Sequence, residues 1–274
     1  MRIDLHTHST VSDGTESPAE VMRAAAAAGL DVVALTDHDT MDGWDQAAAE
    51  AERLGVEFVP GIEVSCRHNG ISIHLLAYWP RREDPVVQEM LARTRDARVH
   101  RAREIVRLVA QDYPLTWDDV VAQSGDAATV GRPHIADALV AAGHVPTRDA
   151  AFEHILAGNS RYYVPHYAPD VVDAVRTLRA AGGVPVFAHP GADGRGRVVA
   201  SSVIESMAAA GLVGLEVDHR DHSDAQRERL AAIAERLRLV RTGASDYHGL
   251  GKLNRLGENL TSPRSYDALW AARG

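Results

Sequence analysis

Seven short apolar runs of strand character are spaced along this 274-residue chain, and alanine-rich segments with helical punctuation separate most of them. They cover residues 3–5, 32–35, 58–64, 71–77, 184–188, 213–217 and 239–242. Strands alternating with helices predict an α/β fold with a largely parallel sheet, and seven such units fit a small barrel. Ser17-Pro18-Ala19-Glu20 reads as a capping box with proline at the first helical position, and Gly29 as the stop after it. A second helix lies within 43–54 and ends at Gly55. Later helices begin near Pro169 and near Ser223, where Ser223 and Gln226 form another capping box.

The alternation breaks between residues 84 and 160. Only helical segments occur there, at 86–110, 117–122, 133–142 and 148–157. We therefore expect a barrel built from 1–83 and 161–274, with 84–160 as an all-helical insert that covers the active site.

Each polar cluster of note falls at the carboxyl end of a predicted strand, where barrel folds place their catalytic groups. The first strand ends in His6-Thr7-His8, with Asp13 in the following loop. Residues two apart on a strand share a face, so both imidazoles can reach one ion. The second strand ends in Thr36-Asp37-His38-Asp39 and the third in Gly61-Ile62-Glu63-Val64. Asn69-Gly70 is a two-residue hairpin signal, and counting back from it pairs Ser65 with His74. Glu63 then lies one diagonal step from His74 on the same face. The fifth strand ends in Ala188-His189-Pro190, and the last runs into Ser245-Asp246-Tyr247-His248.

Together His6, His8, Asp13, His38, Glu63, His74, His189, Asp246 and His248 make nine nitrogen and oxygen donors at six strand ends. One zinc needs three or four, so two or three divalent ions are expected. A donor set without thiolate suits manganese first, with zinc or iron as alternatives. Asp37 and Asp39 flank His38 and are expected to orient it. His219 and His222 follow the sixth strand and are candidate proton donors. His68, His100, His144, His154 and His166 read as ordinary polar residues.

Composition narrows the setting. The single cysteine, Cys66, cannot form an internal disulfide and excludes a Cys-rich zinc site. No run of 18 apolar residues occurs and the first residues are not signal-like, so a cytoplasmic protein without membrane contact is expected. A net charge of -9 argues against a stable complex with long nucleic acid.

At the ligand motifs the sequence resembles the polymerase and histidinol phosphatase (PHP) family of metal-dependent phosphoesterases. The matching residues are Asp4-Leu5-His6-Thr7-His8-Ser9 with Asp13, Thr36-Asp37-His38-Asp39, Glu63 with His74, Ala188-His189-Pro190 and Asp246-Tyr247-His248. The resemblance spans the whole chain. It implies a distorted seven-stranded barrel with a trinuclear site. His6, His8, Glu63 and one of Asp246 and His248 would hold the first ion. Asp13, His38 and the other of that pair would hold the second, and Glu63, His74 and His189 the third. Asp13, His38 and Glu63 would act through bound metals and water. The insert, with Gly131-Arg132-Pro133-His134, is most similar to the stand-alone branch that hydrolyses nucleoside 3′,5′-bisphosphates or trims RNA from its 5′ end. A small phosphorylated nucleotide or short oligonucleotide is then the expected substrate, and metal-bound hydroxide the expected attacking group. No serine or cysteine in these motifs sits beside a base, so no covalent phosphoenzyme is expected.

The arginines of the insert suggest how a second phosphate is held. Residues 93–107 carry six arginines against Asp96 and Glu104, a balance of +4. On a helical wheel Arg95 and Arg98 fall inside the apolar stripe of Leu91, Val99, Ala102, Ile105, Val106 and Val109. A guanidinium there needs an anion or another partner. Arg132 precedes Pro133, a first helical residue, so a helix N-terminus lies beside it. Arg98 and Arg132, with Arg101 and His134 nearby, are expected to clamp the phosphate that is not cleaved.

Three other readings compete. A histidinol-phosphate phosphatase would share the metals and differ in the substrate pocket. An amidohydrolase acting on a carbon-nitrogen bond would often bridge its metals with a mid-barrel lysine, whereas the only lysine, Lys252, follows the final motif. A non-catalytic metal-binding domain would be expected to lack one or more of these donors.

Overall fold

The computed structural model describes residues 1–274 with the exception of Asp126. Seven strands form one sheet in sequential order: β1 (Ile3–Asp4), β2 (Val32–Leu35), β3 (Glu57–His68), β4 (Ile71–Tyr78), β5 (Val184–Phe187), β6 (Gly214–Asp218) and β7 (Val240–Gly243). All neighbours are parallel except β3–β4 and β4–β5, so β4 alone runs against the rest. Beyond β1 and β7 the chain is joined by a bridge between Thr7 and Tyr247, where the His8 amide donates to the Tyr247 carbonyl at 2.8 Å. That bond brings the first and last strands together and nearly closes a distorted (β/α)7 barrel.

Ten α-helices occur among the described residues. They are α1 (Pro18–Ala27), α2 (Trp44–Leu54), α3 (Pro85–Val109), α4 (Trp117–Ser124), α5 (Arg132–Ala141), α6 (Arg148–His154), α7 (Val171–Ala180), α8 (Ser201–Ala209), α9 (Asp224–Leu237) and α10 (Pro263–Ala271). The Ser17 hydroxyl accepts from the Glu20 amide while the Glu20 carboxylate accepts from the Ser17 amide, a complete capping box at α1. Ser223 and Gln226 do the same at α9. Gly55 ends α2 at φ 70°, a conformation that costs an alanine more than a glycine.

The β3–β4 hairpin has the expected register, with Ser65 opposite His74. Its turn needs positive φ at both central residues, and Asn69 (47°) and Gly70 (77°) supply it. Both arms stay paired up to that turn, so β3 reaches His68, four residues past the end expected from its apolar run. By contrast β1 is only two residues long, because the chain leaves the ladder to present His6 and His8.

Between β4 and β5 the chain is helical throughout its regular structure. Helices α3 to α6 pack around their own apolar cluster, which includes Ile105, Val109, Ile135, Leu139 and Leu156. Each such buried side chain contributes roughly 1.5–3 kcal/mol relative to exposure. Helix α3 belongs to two cores: Val87 and Leu91 at its start pack with the barrel residues, and Ala102 to Val109 pack with the helical cluster. Among the described residues no helix is long and apolar enough to cross a membrane.

Candidate metal centre

The alternation of a strand sets the two first donors. The Thr7 hydroxyl turns outward to the Ala34 carbonyl at 2.7 Å, so His6 and His8 on either side of it turn inward. Of the six non-glycine residues with positive φ among the described residues, three lie just past β2, β5 and β7 at this site: Asp39 (φ 56°), His189 (31°) and Asp246 (55°). Such conformations cost on the order of 1–3 kcal/mol each and persist where surrounding contacts impose them.

Glu63 sits at the middle of the cluster. Its Oε2 lies 3.3 Å from His6 Nε2, 3.1 Å from His8 Nε2 and 3.1 Å from His38 Nδ1. Its Oε1 lies 2.8 Å from His74 Nδ1 and 3.3 Å from His189 Nε2. Asp246 Oδ1 is 3.5 and 3.4 Å from the Nε2 atoms of His6 and His8. On the other flank Asp13 Oδ1 is 3.3 Å from His248 Nε2, and Asp13 Oδ2 is 3.7 Å from His38 Nε2. Four subsets bring their donor atoms within 4.8 Å of one another: His8, Asp13, His38 and His248; His6, His8 and Asp246; His6, Glu63 and His189; and His38, Glu63 and His74. All nine donors read from the sequence therefore meet in one cluster.

The donor atoms fit metal ions. Two atoms bound to one ion at about 2.1 Å stand roughly 3 to 3.5 Å apart, the spacing found here. His6 Nε2, both ring nitrogens of His8, His38 Nδ1 and His248 Nε2 are buried without a hydrogen-bond partner among the described residues. Left so, each costs about 1–3 kcal/mol, and a cation in their midst removes that cost. Protonation states agree. Burial lowers the His38, His189 and His248 imidazoles, the last two to about 3 and about 4. Burial alone would raise Asp13, Glu63 and Asp246, but neighbouring histidines, with Lys252 and Arg195 at Asp246, outweigh it and hold all three well below the usual range. At His6 and His8 the carboxylates outweigh burial and raise the imidazoles, His8 to about 9, so these two would release protons on taking a metal.

The sequence pattern of the PHP domain matches residues 4–142. The chain belongs to the PHP family. It is 34% identical over 270 residues to a 3′,5′-nucleoside bisphosphate phosphatase of Chromobacterium violaceum, covering 98% of this chain and 95% of the relative. It is 32% identical to a 5′-3′ exoribonuclease of Haemophilus influenzae, over 98% of both chains. Among solved structures, a protein of Bifidobacterium adolescentis described as a metal-dependent phosphoesterase superposes with a TM-score of 0.96 at 42% identity, over 99% of this chain and 96% of its own. This PHP protein is accordingly a metal-dependent hydrolase of phosphoric esters.

Around the PHP donors the structure adds residues that sequence reading missed. Glu216, alone in the apolar run of β6, has Oε1 3.1 Å from His6 Nδ1, and its Oε2 accepts the His189 amide at 2.7 Å. It holds the His6 ring so that Nε2 faces the cluster. A single carboxylate inside an apolar strand was the available signal. Arg195 Nη2 and Lys252 Nζ lie 2.7 and 2.8 Å from Asp246 Oδ2, leaving Oδ1 to face the histidines.

Other expectations need correction. Asp37 and Asp39 do not touch His38. Asp37 accepts from the Ser9 amide and the Ser9 and Ser12 hydroxyls, and Asp39 from the Ser65 amide and hydroxyl, so they brace neighbouring segments rather than the ring. His222 is occupied at both nitrogens, by the Gly191 amide and the Val217 carbonyl, and has no proton to offer a substrate. His219 is fully buried with Nε2 3.7 Å from Asp246 Oδ2.

The four residues expected to hold substrate are dispersed differently than anticipated. Arg98 finds its anion inside the protein, with Nη1 2.9 Å from Asp39 Oδ2 and 2.7 Å from Ser65 Oγ. Arg95 donates to the Asp39 carbonyl. Among the described residues Arg101 and Arg132 donate only to carbonyls, of Val164 at 2.7 Å and Leu156 at 3.0 Å. His134 accepts the Gly131 amide at Nδ1. His166, set aside from the sequence, joins the arginines: burial and then repulsion from Arg101, Arg98, Arg132 and Arg67 push it to about 3.

Proposed function

We propose that this phosphoesterase removes one phosphate from a nucleotide that carries another, with nucleoside 3′,5′-bisphosphates or the 5′ end of a short RNA as its substrates. The observation that carries this reading is a pair of guanidiniums, Arg101 and Arg132, with no carboxylate partner among the described residues. Burial, reinforced by Arg132 and Arg98, lowers Arg101 to about 10, and burial lowers Arg132 as well. Cations held by neutral carbonyls and aromatic rings gain from an anion that completes them. The spared phosphate is such an anion. The names of the two relatives support the same substrate class.

The spacing favours Asp246 as partner of His6, His8 and Glu63, and His248 as partner of Asp13 and His38, with His74 and His189 on the far oxygen of Glu63. Two or three divalent ions bound there, manganese first with zinc or iron as alternatives, would activate water for attack and neutralise phosphoryl oxygens. Everything else falls to the chain. The Ser9, Ser12 and Ser65 hydroxyls are committed to Asp37 and Asp39 and Cys66 is buried, which favours direct hydrolysis without a covalent intermediate. Residues 84–160 serve as a helical cover that brings Arg101 and Arg132 to the rim of the barrel formed by 1–83 and 161–274. The test is a panel of nucleotides with one and two phosphates, a cyclic phosphodiester and histidinol phosphate. Preferred turnover of a bisphosphate supports the reading, and preference for histidinol phosphate or the cyclic diester overturns it.

A further inference from the structure

A cleft of about 860 Å³ opens beside Asp13, between helices α4 and α5 and the loops that follow β1 and β7. That volume lies within the range of roughly 300–1,000 Å³ typical of small-molecule sites. Its chemistry differs from that of the arginine cluster. The charged side chains on its wall already have partners: Arg148 donates to Asp137 and to the carbonyls of Asp13 and Gly251, and Asp13 faces the histidines. The rest of the wall includes Val11, Val140 and Leu250, the hydroxyl residues Thr10, Thr15 and Ser124, and the carboxamides of Gln46 and Gln123. Leu250 is 96% exposed at the mouth, an apolar surface awaiting a cover. His134 also lines this cleft, and because Nδ1 accepts the Gly131 amide its ring proton sits on Nε2.

Among the described residues the guanidinium lining this cleft is already engaged, which disfavours a phosphate there. A flat neutral group with mixed donors and acceptors fits, since a carboxamide matches the edge of a base and apolar walls cover its faces. We propose that this cleft receives the nucleobase of the substrate. The inference rests on the nucleotide reading above. The substrate then spans three regions: its reacting phosphate at the Glu63 cluster, its spared phosphate at Arg101 and Arg132, and its base beside α4 and α5. Among the described residues that line the cleft, Asp13, Asp137 and Arg148 are all engaged, so the recognition is through neutral hydrogen bonds and packing.

Ala141, exposed at the end of α5, and Ala122, exposed on α4, both line the cleft, so a tryptophan at either fills it from a surface position. Adenosine, which has no phosphate to hydrolyse or to bind the arginines, is titrated into wild-type protein and into Ala141→Trp and Ala122→Trp by calorimetry, with melting temperatures as a check on folding. Saturable binding to wild type that either folded variant weakens by about tenfold or more supports the cleft. Absence of binding to wild type, or equal binding to the folded variants, overturns it. In parallel, kcat/KM for a nucleoside bisphosphate is expected to fall about tenfold further than that for glycerol phosphate in the variants. If wild type binds adenosine but hydrolyses no nucleotide, the proposed reaction fails and the base site stands.

Discussion

Glu216 Oε1 lies 3.1 Å from His6 Nδ1, with both side chains fully buried. The pair fixes which nitrogen of His6 is available to an ion. Replacing Glu216 with glutamine keeps the shape and removes the charge, so metal affinity is expected to fall about 10- to 100-fold. Metal titration of the folded variant measures it. Unchanged affinity would show that the pair is structural.

The donors themselves face a cluster rather than the barrel's apolar core. Glu63→Ala and His38→Ala are therefore expected to abolish turnover while leaving a cooperative unfolding transition. A chelator should do the same to the wild type, and added metal should restore it. Full activity in stripped protein would sink the reading of the centre.

Arg101→Ala and Arg132→Ala should each cost roughly 1.5–3 kcal/mol, or about ten- to a hundredfold in kcat/KM, on a bisphosphate. The same variants should change little on a monophosphate. Arg98→Ala is expected to behave otherwise, because its partner is Asp39 beside His38 and both substrates depend on that segment. Steady-state kinetics on the two substrates separates the cases, and equal losses from Arg101→Ala and Arg132→Ala on both would remove the clamp.

His166 gives a pH dependence. Its imidazole falls from the usual 6.5 to about 3 in the folded protein, through burial and then the neighbouring arginines. Between those values the unfolded chain binds a proton that the folded one refuses. The stability this site contributes is thus complete above pH 6.5 and is lost progressively as pH falls toward 3. In His166→Gln the drop in denaturation midpoint between pH 7.5 and pH 5 should be smaller than in wild type. An identical drop would show that His166 takes up its proton normally in the folded state.

Which parts of this architecture were readable beforehand follows from the range of the forces involved. His6 and His8, or Asp246 and His248, announce themselves because a two-residue period and a strand end are local. Glu63 and His74 were legible through Asn69-Gly70, since a two-residue turn sets the register of everything behind it. Arg98 marks the limit: its place in an apolar stripe showed that it needs a partner, but Asp39 is 59 positions away and only packing of α3 on the barrel brings them together. The same holds for Glu216 with His6, for Arg195 with Asp246, and for His166 among the arginines.

The bridge between Thr7 and Tyr247 has a consequence for how the enzyme comes into being. Donors from both ends of the chain, His6 and His8 on one side and Asp246 and His248 on the other, meet across that seam. A growing polypeptide holds the earlier histidines and Glu63 long before the last pair is made. It lacks the seam that would complete the cluster. The cluster is therefore completed only when the residues after β7 meet those after β1.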